Sequence, residues 1–323
     1  MQIVHSLAEL SSIASPSVVT IGNFDGVHCG HRMVISSVIA RAKSLNARSV
    51  AVTFDPHPAH ILHDGPRLPL ITPLPQKLEL LAATGLDLVL VLPFDADLRL
   101  WTARQFAERV LAEGLHAVEI HEGETFRFGH RAEANIEDLA HFGRDLGFTV
   151  RAYDPCILRG AAVSSSRIRK LIAAGSLAEA RALLGRPFSI HSTPAPGRGY
   201  GTRYTVPTIN LAPYPELLPA NGVYITTLKV GSGPAARTFR GATNAGNRPT
   251  FGADSFAVET HLLDFEPLTL TEETPLELTC LHRLRAEQRF PTPEALRTQI
   301  GLDVRKANRY FALCNTLPQP PNP

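Results

Sequence analysis

The stretch Val18–His31, VVTIGNFDGVHCGH, constrains this chain most: a strand-length apolar run enters a glycine-punctuated turn that carries two histidines and opens a helix. Backbone N–H groups in the first turn of a helix have no intrahelical partner, and the aligned peptide dipoles add partial positive charge there, so such a turn suits an anion. His28 and His31 stand three apart, on nearly one side of the helix, where each imidazole can donate to a phosphoryl oxygen. Gly22, Gly26 and Gly30 permit tight turns and close ligand approach, and with Asn23, Phe24 and Asp25 they form a candidate phosphate cradle. Taken alone, a strand-turn-helix corner with two incidental histidines explains the same letters.

The surrounding pattern gives this corner a fold. Val18–Ile21, Ser49–Phe54, Leu86–Leu92, Ala117–Ile120 and Phe148–Tyr153 read as strands, several continuously apolar as buried parallel strands are. Between them His31–Leu45, Pro75–Thr84, Ala103–Glu113 and Asn135–Leu146 carry helical periodicity, with Thr102 as an N-cap. Alternation of this kind predicts an α/β doubly wound parallel sheet whose site lies at the carboxyl ends of the strands. Polar motifs follow those ends. TFDPHP (Thr53–Pro58) comes after the second strand, its prolines holding Asp55 and His57 out of regular pairing. ETFRFGH (Glu124–His130) comes after the fourth, and SSSRIR (Ser164–Arg169) after the fifth. Ser164, Ser165 and Ser166 can cap a helix from which Arg167 and Arg169 reach phosphate oxygens. The spacing of His57, His60 and His63 also raises a metal site.

Helical segments end near Ser176–Leu184, and Gly185–Pro187 marks a boundary, giving units 1–185 and 186–316 and a frayed tail 317–323. The second half has short β-rich stretches, Val223–Lys229, Thr238–Ala242, Ala257–Phe265 and Glu277–Arg283, separated by Gly and Pro turns. Such spacing predicts a small antiparallel β-barrel, closed by a terminal helix over Glu294–Leu313. In PTIN, Thr208 and Asn210 are two apart, so on an extended segment both face one way and can offer oxygens to Mg²⁺, while Ile209 points away.

At 323 residues, 44% hydrophobic and 19% charged, the chain has room for two cores of ordinary globular composition. A formal net charge of +2 gives nucleic acid or a membrane surface no special claim. The opening MQIVHSLAEL lacks a basic segment followed by a long apolar one, and no apolar run approaches bilayer-spanning length. A cytoplasmic protein with no nucleic-acid or membrane partner, monomeric or weakly homo-oligomeric, is expected. Cys29, Cys156, Cys280 and Cys314 lie far apart without a CxxC, which argues against a zinc knuckle or a disulfide framework.

GNFDGVHCGH resembles the signature of the HxGH nucleotidylyltransferases and, in full, that of the prokaryotic bifunctional riboflavin kinase/FAD synthetases. TFDPHP, ETFRFGH, SSSRIR, PTIN, TNAGNRPTF (Thr243–Phe251) and VETHLLDF (Val258–Phe265) follow in that family's order, so the resemblance spans almost the whole chain. It implies ATP-dependent phosphorylation of riboflavin to FMN, then adenylylation of FMN to FAD with Mg²⁺. It places catalysis at His28, His31, Arg169 and Glu259, phosphate contacts also at Arg198 and Arg203, and flavin contacts at Asp55, His57, Phe126, Phe128 and Arg248. The family's GRxLGFPTAN reads here as GTRYTVPTIN, with Thr202, Thr205, Val206 and Ile209 as departures. An FMN adenylyltransferase with a barrel that only binds flavin, and a non-catalytic flavin or nucleotide sensor, are the competing readings.

Overall fold

The apolar runs of the first half become the strands of one parallel sheet. A computed structural model describes residues 1–10, 15–195, 208–247, 256–263, 268 and 270–316, and its contacts divide the chain into two compact units, 1–167 and 168–323. The first unit holds β1 (Gln2–Val4), β2 (Ser17–Ile21), β3 (Arg48–Asp55), β4 (Leu88–Pro93), β5 (Ala117–Gly123) and β6 (Thr149–Tyr153). The sheet order is β1-β4-β3-β2-β5-β6, every pair parallel. From β2 the chain winds outward through β3 and β4, then returns to place β5 and β6 on the other side of β2. The direction of winding therefore reverses between β2 and β5, the place where an open α/β sheet leaves a crevice at its carboxyl edge.

Strand alternation sorts the side chains into two layers. Val18, Ala51 and Val89 pack with Ile35, Val38 and Ala42 of α2 (Cys29–Leu45). Val19, Val50, Val52, Leu88 and Leu90 pack on the opposite face, with Phe106 of α5 (Ala103–Phe106) and with Val110 and Leu111 of the π-helical stretch Ala107–Gly114 that continues it. Between α2 and α5 lie α3 (Ala59–Leu62) and α4 (Leu74–Ala82); α1 (Leu7–Leu10) precedes them and α6 (Ile136–Leu146) follows. Thr102 caps α5 in a reciprocal capping box with Gln105, and Asn135 does the same for α6 with Asp138. A two-residue-per-strand hairpin, β7 (Ile157–Leu158) and β8 (Ala161–Ala162), precedes α7 (Ser165–Ala173).

The second unit is an antiparallel six-strand half-barrel. Its strands are β9 (Phe188–Ser192), β10 (Thr208–Asn210), β11 (Gly222–Val230), β12 (Arg237–Asn247), β13 (Phe256–Leu262) and β14 (Leu276–Ala286), in the order β10-β13-β12-β11-β14-β9. Just past the two edge strands the chain bonds to itself: Ala195 N–H donates to Asn210 O at 2.9 Å and Ala212 N–H to Thr193 O at 2.8 Å. The sheet thus curls until its edges meet at one end. The long final helix α9 (Pro293–Thr316) buries Ala307 and Phe311 beside Ile225. Asp303 of α9 accepts from Arg285 Nε at 3.0 Å and from Gln299 at 2.9 Å.

The units divide at Arg167/Ile168, whereas the sequence puts the boundary at Gly185–Pro187. Helix α8 (Leu177–Leu184) accounts for the difference, because its apolar side chains Leu177, Ala180, Leu183 and Leu184 are buried and the helix packs on β9 and β14. The expected tail 317–323 lies outside the described residues.

Two candidate active sites

β2 is buried along its whole length and stops at Ile21, whose N–H is accepted by the Glu122 carboxylate of β5. Gly22 N–H extends the ladder by one bond, to Val52 O at 2.9 Å. The backbone then turns through positive φ at Phe24 (47°), Gly26 (85°) and Val27 (37°). A β-branched residue at such an angle is strained; Val27 is held there by burial and by its N–H bond to Phe24 O at 3.0 Å. His28 ends the turn as the N-cap of α2, its Nδ1 accepting the His31 N–H at 3.3 Å. That acceptor role assigns the neutral ring's proton to Nε2.

The two imidazoles lie stacked, with centroids 3.6 Å apart and 16° between planes, and Phe24 meets His31 in edge-to-face contact at 5.2 Å. Gly30 makes room for this pair, since a Cβ there would stand 3.3 Å from the His28 ring. His31 Nδ1 is buried with no hydrogen-bond partner. Burial above all, then the neighbouring His28 and Lys77, hold the His31 pKa well below the ordinary histidine value. A helix mouth with neutral imidazoles offers N–H donors and dipole to a phosphate chain.

The loop is anchored from below. Asp25, expected at phosphate, instead turns its buried carboxylate on the backbone: Oδ1 accepts the N–H groups of Ile71 at 2.9 Å and Thr72 at 3.0 Å. Thr72 answers with Oγ1, which accepts the Gly26 N–H at 2.9 Å. Lys77 of α4 is 5% exposed and donates to Asn23 O at 3.2 Å, Thr53 Oγ1 at 3.1 Å and Phe54 O at 3.4 Å. Burial brings its pKa down to about 8, against the opposing pull of Asp25 and Asp55. No motif signals Thr72 or Lys77. The available hint is phase, since Lys77 stands one helical turn before the buried Leu81.

Of the SSSRIR element, Ser165 donates to Asp25 O at 2.9 Å and Ser164 accepts the Arg167 N–H at 3.2 Å. Arg167, expected at phosphate, has Nη1 on the carbonyls of Leu158, Ala161 and Ala162 at 3.1, 2.8 and 3.3 Å. Five planar donors suit it to clamp the β7–β8 hairpin. Ser166 is exposed, and Arg169, half-buried, belongs to the second unit.

The expected flavin residues fall into different environments. Asp55 is exposed at the end of β3, before a cis Asp55–Pro56 bond. His57 Nδ1 accepts the Ala59 N–H at 3.1 Å, and the His60 ring bonds Leu68 O at 2.8 Å. Among the described residues no three His, Cys, Asp or Glu side chains gather as a metal site. Phe126 and Phe128 stack at 5.3 Å and 17°. Phe128 is buried in the core, where it also meets Phe106 at 6.2 Å and Phe142 at 6.5 Å, whereas Phe126 is half-buried. Core packing occupies Phe128, and Phe126 is the ring of the pair closer to solvent. Arg198, Arg203 and Arg248 lie outside the described residues, as do Thr202, Thr205 and Val206.

In the half-barrel, register gathers the remaining candidates. Asn210 stands directly opposite Glu259, and Thr208 opposite His261. Residues paired across antiparallel strands share a face, so Thr208, Asn210, Glu259 and His261 form one polar patch. Asn244 of β12 flanks Glu259 from the other side. Ile209 points to the opposite, buried face. There Thr226, Thr243 and Thr260 form a hydroxyl chain, with links of 2.7 and 2.9 Å. His261 and Asn244 sit inside VETHLLDF and TNAGNRPTF, but only strand pairing brings them to Glu259.

Comparison with known proteins follows the same division. A family model described as FAD synthetase matches residues 10–167, and one described as riboflavin kinase matches residues 184–311. Bifunctional riboflavin kinase/FMN adenylyltransferase of Pseudomonas fluorescens is 35% identical over 317 residues, covering 97% of this chain and 98% of that protein. The proteins of the same description from Haemophilus influenzae and Escherichia coli K12 are each 30% identical, covering 96% and 97% of this chain and 99% of theirs. A solved Streptococcus pneumoniae structure described as a macrolide-efflux protein shares the fold, with a TM-score of 0.83 at 24% identity, over 95% of this chain and 98% of that one. With one family match on each half and relatives aligned nearly end to end, the chain belongs to the bifunctional riboflavin kinase/FMN adenylyltransferase family.

Proposed function

We propose that this chain makes FAD from riboflavin in two ATP-dependent transfers, with each compact unit carrying one. The barrel unit moves the γ-phosphoryl group of ATP to the ribityl hydroxyl, giving FMN and ADP. The first unit joins AMP to FMN: the FMN phosphate attacks the α-phosphorus while the bond to the pyrophosphate oxygen breaks. No side-chain nucleophile is needed, so the protein's task is alignment and stabilisation of charge on the phosphoryl oxygens. The observation that carries the residue assignment is the stacked His28–His31 pair at the mouth of α2. His28, through Nε2–H, and His31 donate to the ATP phosphates at the first turn of α2. Asn23 and the glycines Gly22, Gly26 and Gly30 let the chain wrap that triphosphate. Phe126, Asp55 and His57 are the flavin contacts of this reading.

In the barrel unit Glu259 is the base for the ribityl hydroxyl, supported by its register with Asn210. Thr208 and Asn210 offer hard oxygen donors on one face, a pair that suits Mg²⁺. Bound there, Mg²⁺ supplies neutralisation of the phosphate charge. The described residues include no helix long and apolar enough to cross a membrane.

Chromatography of the products from riboflavin, ATP and Mg²⁺ tests this. The wild type yields FMN and FAD, whereas His28→Ala and His31→Ala accumulate FMN, with adenylylation down by about 100-fold or more. Glu259→Gln makes FAD only when FMN is supplied. A folded His28→Ala protein forming FAD at the wild-type rate overturns the histidine assignment, and unchanged riboflavin with the wild type overturns the kinase half.

A further inference from the structure

Lys77 is a buried cation that no motif accounts for. Its three N–H bonds point at three oxygens, Asn23 O, Thr53 Oγ1 and Phe54 O, at 3.2, 3.1 and 3.4 Å. All its donors are thereby engaged, so it does not reach a substrate. What it joins is informative. Asn23 O belongs to the turn between β2 and His28, and Phe54 O immediately precedes Asp55 at the end of β3. One ammonium therefore ties together the two loops that carry the adenylyl-transfer candidates. A bare hydrophobe at this position would leave the same three oxygens without that partner.

We propose that Lys77 is a positioning residue for adenylyl transfer, whose ammonium clamps the phosphate turn at Asn23 to the end of β3 and so sets the aim of His28 and His31. The proposal rests on the histidine assignment above. The charged and titratable groups that face Nζ electrostatically are Asp25, Asp55 and His31. Deprotonation removes one of the three N–H donors and all of the charge. The clamp consequently weakens as pH rises through about 8, where burial has brought this lysine. A guanidinium keeps its charge at that pH.

The test compares wild type, Lys77→Met, Lys77→Arg and His28→Ala in full-length protein, reading FMN adenylylation from pH 6.5 to 9.5 and riboflavin phosphorylation as an internal control. In Lys77→Met, kcat for adenylylation is expected to fall about 10- to 100-fold, as misalignment does, while the dissociation constant for ATP changes less than threefold. Phosphorylation stays within twofold. The wild-type profile falls on the alkaline side near pH 8, and Lys77→Arg moves that limb upward while recovering part of the rate. If Lys77→Met keeps kcat within threefold while His28→Ala is inactive, the clamp is overturned and the histidine assignment stands. If His28→Ala stays active, the assignment itself fails. Should Lys77→Met lose its fold, Lys77→Arg decides, because an alkaline limb identical to wild type overturns the proposal.

Discussion

Glu122, bonded to the end of β2, and His31, at the mouth of α2, are moved in opposite directions by one cause. Burial disfavours the charged form of each, which raises the Glu122 pKa well above the ordinary carboxylate value and lowers that of His31. The Ile21 N–H and the Thr20 hydroxyl, the latter at 3.2 Å, favour the carboxylate but do not outweigh its desolvation. A carboxyl that is protonated when folded and ionised when unfolded binds more protons in the native state. Stability from it is complete below the unfolded value and is lost as pH rises toward the folded one. Glu122→Gln keeps an oxygen for Ile21 N–H and cannot ionise. Its melting temperature at pH 8 is therefore expected to equal or exceed that of wild type, with the advantage shrinking toward pH 5. A Glu122→Gln protein that melts clearly lower at pH 8 shows instead that Glu122 is held as a carboxylate. For His31 the sign runs the other way: folded protein binds fewer protons, so its contribution is lost as pH falls below about 6.5.

Elements whose signal is periodic are legible in the sequence. The five predicted strands of the first sheet appear within a few residues of their expected ends, and β2, β3 and β4 read as apolar runs because they are buried nearly throughout. β1 escaped, being three residues long with only Val4 buried, and so did the β7–β8 hairpin with two residues on each side. β12 runs on past Ala242 through the polar Asn244, which cross-strand pairing rather than hydropathy keeps extended. Site residues were legible as motifs but not as partners. Asp25 with Ile71 and Thr72, and Lys77 with Asn23, are joined across separations that no local pattern encodes. Phe128 packs against Phe106 and Phe142, neighbours that its motif does not name. Close packing between elements is equally silent in sequence. A Cβ on Gly143 of α6 would stand 2.4 Å from Phe148 O, where the chain turns back toward β6. Gly143→Ala is expected to destabilise the first unit by about 1–3 kcal/mol through overpacking. Calorimetry should show that loss with riboflavin phosphorylation intact, and an unchanged melting profile would mean that α6 shifts freely.

At the scale of the whole molecule the open question is where one folding unit stops. Sequence composition changes at Gly185–Pro187 and the riboflavin kinase match starts at 184, yet the contacts divide at 167/168. These boundaries predict different fragments. Helix α8 buries Leu177, Leu183 and Leu184 and packs on β9 and β14. Behind it Arg283 of β14 donates to Asn221 O at 2.8 Å and lies against Gly175, where the φ of +78° disfavours any side chain and an added Cβ would stand 2.9 Å from Arg283 Cδ. Each buried leucine is worth roughly 1.5–3 kcal/mol as an upper estimate, so a barrel cut free of α8 exposes an apolar face worth several kcal/mol. A fragment beginning at Ser164 is expected to unfold in one cooperative step and to phosphorylate riboflavin. One beginning at Arg186 should melt at least about 5 °C lower or fail to fold. Equal melting temperatures for the two fragments would return the boundary to Gly185 and make α8 an ornament of the barrel rather than part of its core.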